Sequence, residues 1–319
     1  MVAFSNYPYS SIRWARERPV RIFTKGLLSC ILRTMEIIQT NILSAQQIQS
    51  IKSLQKLCFE LEGLENEPFL SNELNTDLDL PCFFLCFDDH RLVGFLSAFF
   101  PTRDEVEING FVHPEYRNRG IFSSLATEAR KTYEKFPFHQ MLFQVELSSE
   151  SGKAYVRNRF PHIHTSEYRL RLSKNRWQDT RPLTPAIGTL VEATGEYRTP
   201  FIKTATKLLR EEEGFVQRML GNPERKGYLY LYKDNPIGVL QQCREGENLT
   251  MLYGVAIDEK YRGQGHGKAM LTLALDSFFM EGDSLSLEVD SHNPTAYGLY
   301  KALGFEIDFQ VDYHSLILS

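Results

Sequence analysis

Seven consecutive residues, Arg262-Gly263-Gln264-Gly265-His266-Gly267-Lys268, carry the clearest chemistry in this sequence. Their glycines let a ligand approach the main chain closely. The run lies between a strand-like segment and an amphipathic helical one. Free N–H groups at the helix start, aligned with the helix dipole, form an anion site suited to a pyrophosphate. Arg262 and Lys268 add positive charge. Two other phosphate motifs do not fit. A P-loop needs Gly where Arg262 stands and Ser or Thr where Ala269 stands. The dinucleotide fingerprint needs Gly where Lys268 stands. His266 is expected to offer only its backbone to the anion.

Downstream, Asn293, Ala296, Tyr300, Gly304 and Phe305 come after a strand-like segment that contains Glu288. A tyrosine can protonate or stabilise a leaving group, and a carboxylate can take a proton from an amine. Both have structural alternatives: Tyr300 could simply pack its helix on a sheet, and Glu288 could simply order its strand. Asp290 and His292 are weaker candidates for the same work.

The elements that must position these groups occur twice, at an offset of about 145 residues. Tyr116-Arg117-Asn118-Arg119-Gly120-Ile121 recurs as Tyr261-Arg262-Gly263-Gln264-Gly265-His266, and Tyr155 with Phe160 recurs as Tyr300 with Phe305. In the first copy the pattern predicts strands at 35–40, 82–87, 91–99, 105–112 and 140–147. Helices are predicted from Ser44 to about 60, after Gly120, and at 152–158. In the second copy it predicts a largely helical 199–220 and strands at 227–232, 236–242, 250–257 and 284–289. Helices are predicted there at 267–280 and 294–303. Each copy is expected to close on its own strand, Tyr168–Leu172 and Tyr313–Leu318. The expected division is a basic extension at 1–34, a first domain at 35–174 and a second at 175–319, with a linker at 173–185. Mixed strands and helices in this order argue for an α/β, or α+β mixed-sheet, domain built twice.

The loop and the later motif together resemble the GNAT (GCN5-related N-acetyltransferase) superfamily, and the pairing resembles its tandem two-domain members. That resemblance implies acetyl-CoA as co-substrate, no metal, and a small-molecule or peptide amine as acceptor. It implies that Arg262 to Lys268 cradle the pyrophosphate. Val255, Ala256 and Ile257 would hold the pantetheine arm and polarise the carbonyl through backbone atoms, and Asn293 would touch the arm. Tyr300 would donate a proton to the leaving sulfur. Glu288 would serve as base, at a spacing similar to that of ribosomal-protein alanine acetyltransferases. In tandem pairs the two halves need not both be catalytic. The first copy is degenerate: Phe122 replaces the last loop glycine, Ser148 or Ser149 replaces Asn293, and Gln144 replaces Glu288. Arg117, Gly120 and Tyr155 remain, and Glu105, Glu107 and Glu146 offer carboxylates. The second copy is therefore the expected catalytic half. A non-catalytic acyl-CoA-binding or interaction module, or transfer of another acyl group, stays open as the alternative.

Composition narrows the classes. The 319 residues are 42% hydrophobic and 24% charged, which supplies a core of ordinary size. A net charge of −4 gives no general attraction to nucleic acid. No apolar run reaches the ~18 residues of a membrane span. Residues 1–34 net +5 and the rest net −9, so the head differs in character from the remainder of the chain. Five cysteines, Cys30, Cys58, Cys82, Cys86 and Cys243, show no disulfide framework, and Cys82 and Cys86 are expected in the core. Such usage suits a reducing, cytoplasmic compartment.

Overall fold

The computed structural model describes residues 18–20, 35–183, 187–245 and 248–318. In chain order the first half contains β1 (Arg18–Val20), β2 (Met35–Thr40), α1 (Ala45–Glu62), β3 (Phe83–Asp88), β4 (Arg91–Phe99), β5 (Glu105–Val112), α2 (Ile121–Tyr133), β6 (Gln140–Glu146) and α3 (Glu150–Val156). Next come β7 (Ile163–Ser173), α4 (Lys174–Thr180), β8 (Thr189–Glu192), α5 (Arg198–Leu209), α6 (Glu213–Met219), β9 (Arg225–Tyr232), β10 (Asn235–Glu245) and β11 (Leu249–Ile257). The chain ends with α7 (His266–Phe278), β12 (Ser284–Asp290), α8 (Pro294–Ala302) and β13 (Glu306–Ile317). These are the predicted elements, with β7 and β13 starting well before the expected Tyr168 and Tyr313 and smaller changes elsewhere, plus β1, β8, α4 and the break between α5 and α6.

Local chemistry explains several boundaries. Ser44 and Gln47 form a reciprocal capping box that starts α1, and Gly63 ends it in the left-handed conformation at φ 66°. Gly120 and Gly265 take the same conformation immediately before α2 and α7, at φ 77° and 85°. Asn293 caps α8 by accepting the Ala296 N–H at 3.1 Å.

The chain divides into two compact units. One comprises the described residues up to 166 together with 311–318, and the other comprises residues 167–310. The expected strand endings are exchanged. The Tyr168–Leu172 segment of β7 pairs antiparallel with β12, and the Val311–Ile317 segment of β13 pairs antiparallel with β6. Both segments alternate in character and close a sheet edge equally well, so local sequence does not say which edge each one closes. The first sheet runs β1-β2-β3-β4-β5-β6-β13, and the second β8-β9-β10-β11-β12-β7. Each sheet has one parallel pair, β5 with β6 and β11 with β12; its other pairs are antiparallel.

The expected linker at 173–185 is mostly helix. Ser173 caps α4, and Trp177 is buried with its indole N–H on Asp276 of α7 at 3.1 Å. Arg181 binds the same carboxylate through two N–H groups at 2.7 Å. Of the basic head, only the backbone of Arg18–Val20 is described, as a strand paired with β2; the rest of 1–34 lies outside the described residues.

Cys58, Cys82, Cys86 and Cys243 are free and buried, and Cys30 lies outside the described residues. Burial pushes the Cys82 thiol up to about 12 and that of Cys86 up to about 11, as core thiols should behave. Among the described residues no helix is long and apolar enough to cross a membrane. Nor does any group of three or more His, Cys, Asp or Glu side chains there stand ready for a metal ion.

Candidate active site

In the second unit the parallel pair provides an opening. β11 and β12 pair only over Leu249–Leu252 and Ser284–Leu287, although β11 runs on to Ile257 and β12 to Asp290. Beyond Leu252 and Leu287 the strands no longer pair; the Asp258 N–H donates to Ile237 of β10, so by alternation Ala256 also turns to β10, while Val255 and Ile257 turn to the β12 side. A bulge accompanies the split. The β10 register shifts between Val239 and Gln241, opposite Ala256 and Tyr253, and Gly254 sits at φ 53°. A Cβ on Gly254 would meet Leu209 Cδ1 at 2.9 Å and Gln241 Nε2 at 3.0 Å, side-chain ends that can shift, so the positive φ rather than lack of room favours glycine here.

The glycine loop stands at the end of β11. The Arg262 Nε–H donates to the Ile257 carbonyl at 2.9 Å, and the Gln264 amide donates to the Lys260 carbonyl at 2.8 Å. These bonds hold the loop from within. Gly263 and Gly265 have positive φ, 72° and 85°, and open space where a Cβ would lie. The first intrahelical bond of α7 runs from Ala269 N–H to Gly265 O, so the amides of His266, Gly267 and Lys268 precede the hydrogen-bonded ladder. They are the donors an anion needs. The His266 ring turns inward, 3% exposed, among Tyr230, Tyr232 and Tyr261. The ring is thus packed away from the loop surface.

Tyr300 is 7% exposed, with its ring edge-on to Phe305 at 5.8 Å. Among the described residues nothing hydrogen-bonds its hydroxyl, and burial pushes that hydroxyl up to about 12. Tyr300 shares a cluster with Leu285, Leu287 and Val289 of β12 and with α7. Side chains alternate along a strand, so Glu288 points to the opposite face of the sheet. Leu229 and Val239 turn to that face, where α5 and α6 pack. Tyr300 and Glu288 therefore approach the strand split from opposite sides. The cross-strand neighbour of Glu288 on β7 is Arg169. The Asn293 carbonyl is occupied in capping α8, and Asp290 accepts the His292 backbone N–H at 2.6 Å, so these residues shape the turn after β12.

The first unit repeats the device with different side chains. β5 and β6 pair over Glu105–Ile108 and Gln140–Phe143 and then part. A cavity of about 680 Å³ opens there, lined among others by Glu62, Arg117, Phe122, Gln144, Glu146 and Tyr155. The Arg117 Nε–H donates to the Val112 carbonyl at 3.2 Å, as Arg262 does to Ile257. Its guanidinium is ion-paired with the half-buried Glu62. The same carboxylate accepts the hydroxyls of Ser149 and Ser151, each at 3.1 Å. Burial alone would raise Glu62, but the Ser151 hydrogen bond, Arg117 and Ser149 hold it below the usual carboxylate range. Phe122 lies edge-on to Tyr155 at 4.7 Å, and burial raises the Tyr155 hydroxyl. Glu146 accepts the backbone N–H groups of Glu65 and Asn66, which commits it to holding the loop after α1. Glu105 and Glu107 accept the side-chain amides of Gln140 and Gln144.

Sequence reasoning missed Glu62 and the cavity it helps line. Glu62 lies beside a helix-ending glycine with no motif around it, and its role exists only through residues 55 to 89 positions away. The bulge at Gly254 was visible in principle as a glycine inside a strand pattern.

Comparison with known proteins respects the same division. Residues 48–155 and 191–305, more than half of the chain, match the model described as the acetyltransferase (GNAT) family. A GCN5-related N-acetyltransferase from Sphaerobacter thermophilus aligns with TM-score 0.63 at 16% identity, covering 84% of this chain and 92% of its own. A tandem GNAT protein from the clavulanic acid biosynthesis pathway aligns with TM-score 0.62 at 16% identity, covering 89% and 99%. An acetyltransferase of the GNAT family from Colwellia psychrerythraea aligns with TM-score 0.61 at 14% identity, also covering 89% and 99%. At such identities these structures establish the fold. No curated protein sequence matches the chain.

Proposed function

Because the chain belongs to the acetyltransferase (GNAT) family, with two such domains in tandem, we propose that it moves an acetyl group from acetyl-CoA to a primary amine, chiefly in its second unit. The acceptor is a small molecule or a peptide, it reacts by direct attack in a ternary complex, and the setting is the cytoplasm. One observation carries this reading. The α7 loop presents three amides outside the helix ladder at the mouth of the β11–β12 split, on the side where the Tyr300 hydroxyl has no hydrogen-bond partner among the described residues.

The residues present suit the donor. Amides at a helix start with positive dipole, flanked by Arg262 and Lys268, match a pyrophosphate. On the β12 side, the backbone groups of Val255 and the Ile257 N–H suit an amide-bearing arm, the Ile257 carbonyl being held by Arg262. The thioester supplies an activated acyl carbon. As nitrogen bonds to that carbon, the carbon–sulfur bond breaks and its electron pair leaves with sulfur. A β11 backbone N–H stabilises the oxygen as charge grows on it. Glu288, on the other face, takes the amine proton. Tyr300 donates to sulfur. With a hydroxyl near about 12, complete transfer to a thiolate whose thiol lies near ~8.5 is uphill by roughly 5 kcal/mol. Tyr300 therefore acts mainly as an oriented hydrogen-bond donor.

A second reading places binding or turnover in the first unit, because the 680 Å³ cavity lies there with Tyr155 on its wall. Against it, Glu62 already neutralises Arg117, and Phe122 fills the position of Gly267. The test is acetyl transfer from labelled acetyl-CoA to a panel of primary amines by the full chain and by the Tyr300→Phe and Tyr155→Phe variants. Loss of turnover in Tyr300→Phe alone supports the second unit. Loss in Tyr155→Phe alone moves the chemistry to the first, and acetyl-CoA binding without transfer by any of the three rejects the enzyme reading.

A further inference from the structure

The first unit keeps most of an anion-binding cleft. The amides of Ile121, Phe122 and Ser123 precede the hydrogen-bonded ladder of α2, whose first bond runs from the Ser124 N–H to Gly120 O at 2.9 Å. Arg117 and Gly120 stand as Arg262 and Gly265 do, and the cavity of about 680 Å³ opens beside them. Phe122 replaces Gly267, yet this cavity remains. The Phe122 ring lies over Gly110, with Cε2 3.0 Å from where a Cβ on that glycine would be. At the offset of about 145, Gly110 corresponds to Val255, so bulk absent from the strand is supplied by the loop.

Charge separates the copies more sharply. Helices α1 and α5 both end before a left-handed residue, Gly63 and Arg210, and their last residues are Glu62 and Leu209. The Glu62 side chain, 9% exposed, bridges two walls of the cavity. One carboxylate oxygen is ion-paired with Arg117 of the loop, and the other accepts the Ser149 and Ser151 hydroxyls at the start of α3. All four residues line the cavity. Arg262 differs, for its ion pair is with Glu259 at 3.8 Å and both side chains are more than half exposed. Such a pair is weak in water and yields readily to a ligand. Held below the usual carboxylate range, Glu62 is an anion at neutral pH. It already occupies the guanidinium that a phosphate would need. A tethered group competes at an effective concentration of roughly millimolar, and an incoming anion is repelled by it.

We infer that Glu62 is the specificity-determining residue of the first unit: it holds Arg117 in place of a ligand phosphate and closes that cleft to phosphate-bearing molecules. The transferase reading supplies only the identity of the anion, CoA, and the site in the second unit with which the first is compared. The amides, the arginine and the cavity are already built, so removing one carboxylate should turn the first unit into a second CoA site.

The test counts CoA sites on the full chain by isothermal titration calorimetry. Wild type should bind one CoA per chain, and Arg117→Gln should leave that site unchanged. Glu62→Leu, which copies Leu209, should bind two, the first-unit affinity rising by about a hundredfold or more as the like charge is removed. Adding Arg117→Gln to Glu62→Leu should return the count to one. Glu62→Gln removes the charge at nearly constant size and gives the same reading if Leu disturbs folding, which near-UV circular dichroism reports. Two CoA sites in wild type overturn the inference, as does a wild-type site lost in Arg117→Gln. A folded Glu62 variant that gains no site, or a gained site that persists without Arg117, also overturns it. No site in wild type with one in Glu62→Leu strikes the transferase reading of the second unit and leaves the role of Glu62 standing.

Discussion

Replacing Tyr300 by Phe should separate activity from stability, because the two depend on different features of the same hydroxyl. The ring packs against Phe305 and the β12 side chains, and Phe preserves that packing. The hydroxyl has no protein partner among the described residues, but it is not among the buried atoms left without a partner, so it keeps contact with solvent and its removal costs or gains little. Tyr300→Phe should therefore stay within about 0.5 kcal/mol of wild type at pH 8. The pH dependence gives a second handle. The folded hydroxyl titrates at about 12 against an ordinary value of 10, so the folded state holds its proton more tightly. Below pH ~10 both states keep the proton and pH has no effect through this group. Between ~10 and ~12 the unfolded state loses it first, and wild-type stability falls by up to roughly 3 kcal/mol. The Phe variant lacks this loss, so it should become the more stable of the two across that window. Meanwhile kcat should fall by about a hundredfold, the usual effect of losing one oriented donor. Urea unfolding at pH 8 to 11.5 and initial rates at pH 8 provide both readings. A variant that is less stable by more than about 1 kcal/mol yet fully active would show that Tyr300 only packs α8 on the sheet.

Further expectations concern both units. Arg210→Gly should stabilise the second unit by about 0.5–1 kcal/mol in chemical denaturation, since a left-handed non-glycine residue is strained and this side chain is exposed. Glu62→Gln should cost about 2 kcal/mol, because it leaves Arg117 and two serines short of their shared partner. Glu62 is held below its ordinary value, so its contribution is present above pH ~4.5 and is lost as pH falls through the folded value; the variant's acid unfolding curve should be correspondingly shallower. Tyr155→Phe should leave kcat within about twofold of wild type, measured under the same conditions as Tyr300→Phe.

Much of this was legible in the sequence because it depends on local pattern. Glycines at 120 and 265 mark left-handed helix starts, and the spacing from Gly265 to Tyr300 places a loop and a helix around one parallel strand pair. The inward turn of His266 also follows from its position at the first residue of α7. Other features are set by tertiary choice. The exchange of β7 and β13 depends on which sheet edge each strand meets. Trp177 and Arg181 turn an apparent linker into a docked helix by meeting Asp276, about 100 residues away. The Glu62–Arg117 pair is likewise a product of packing. A glutamate at a helix end has no sequence signature of being buried.

The position taken by acetyl-CoA bears most directly on the chemistry assigned to the second unit. A crystal structure of the full chain with acetyl-CoA should place the pyrophosphate on the amides of His266, Gly267 and Lys268, with the thioester sulfur within hydrogen-bond reach of the Tyr300 hydroxyl. Acetyl-CoA found only in the first-unit cavity beside Arg117 and Tyr155, with the α7 loop empty, would contradict it.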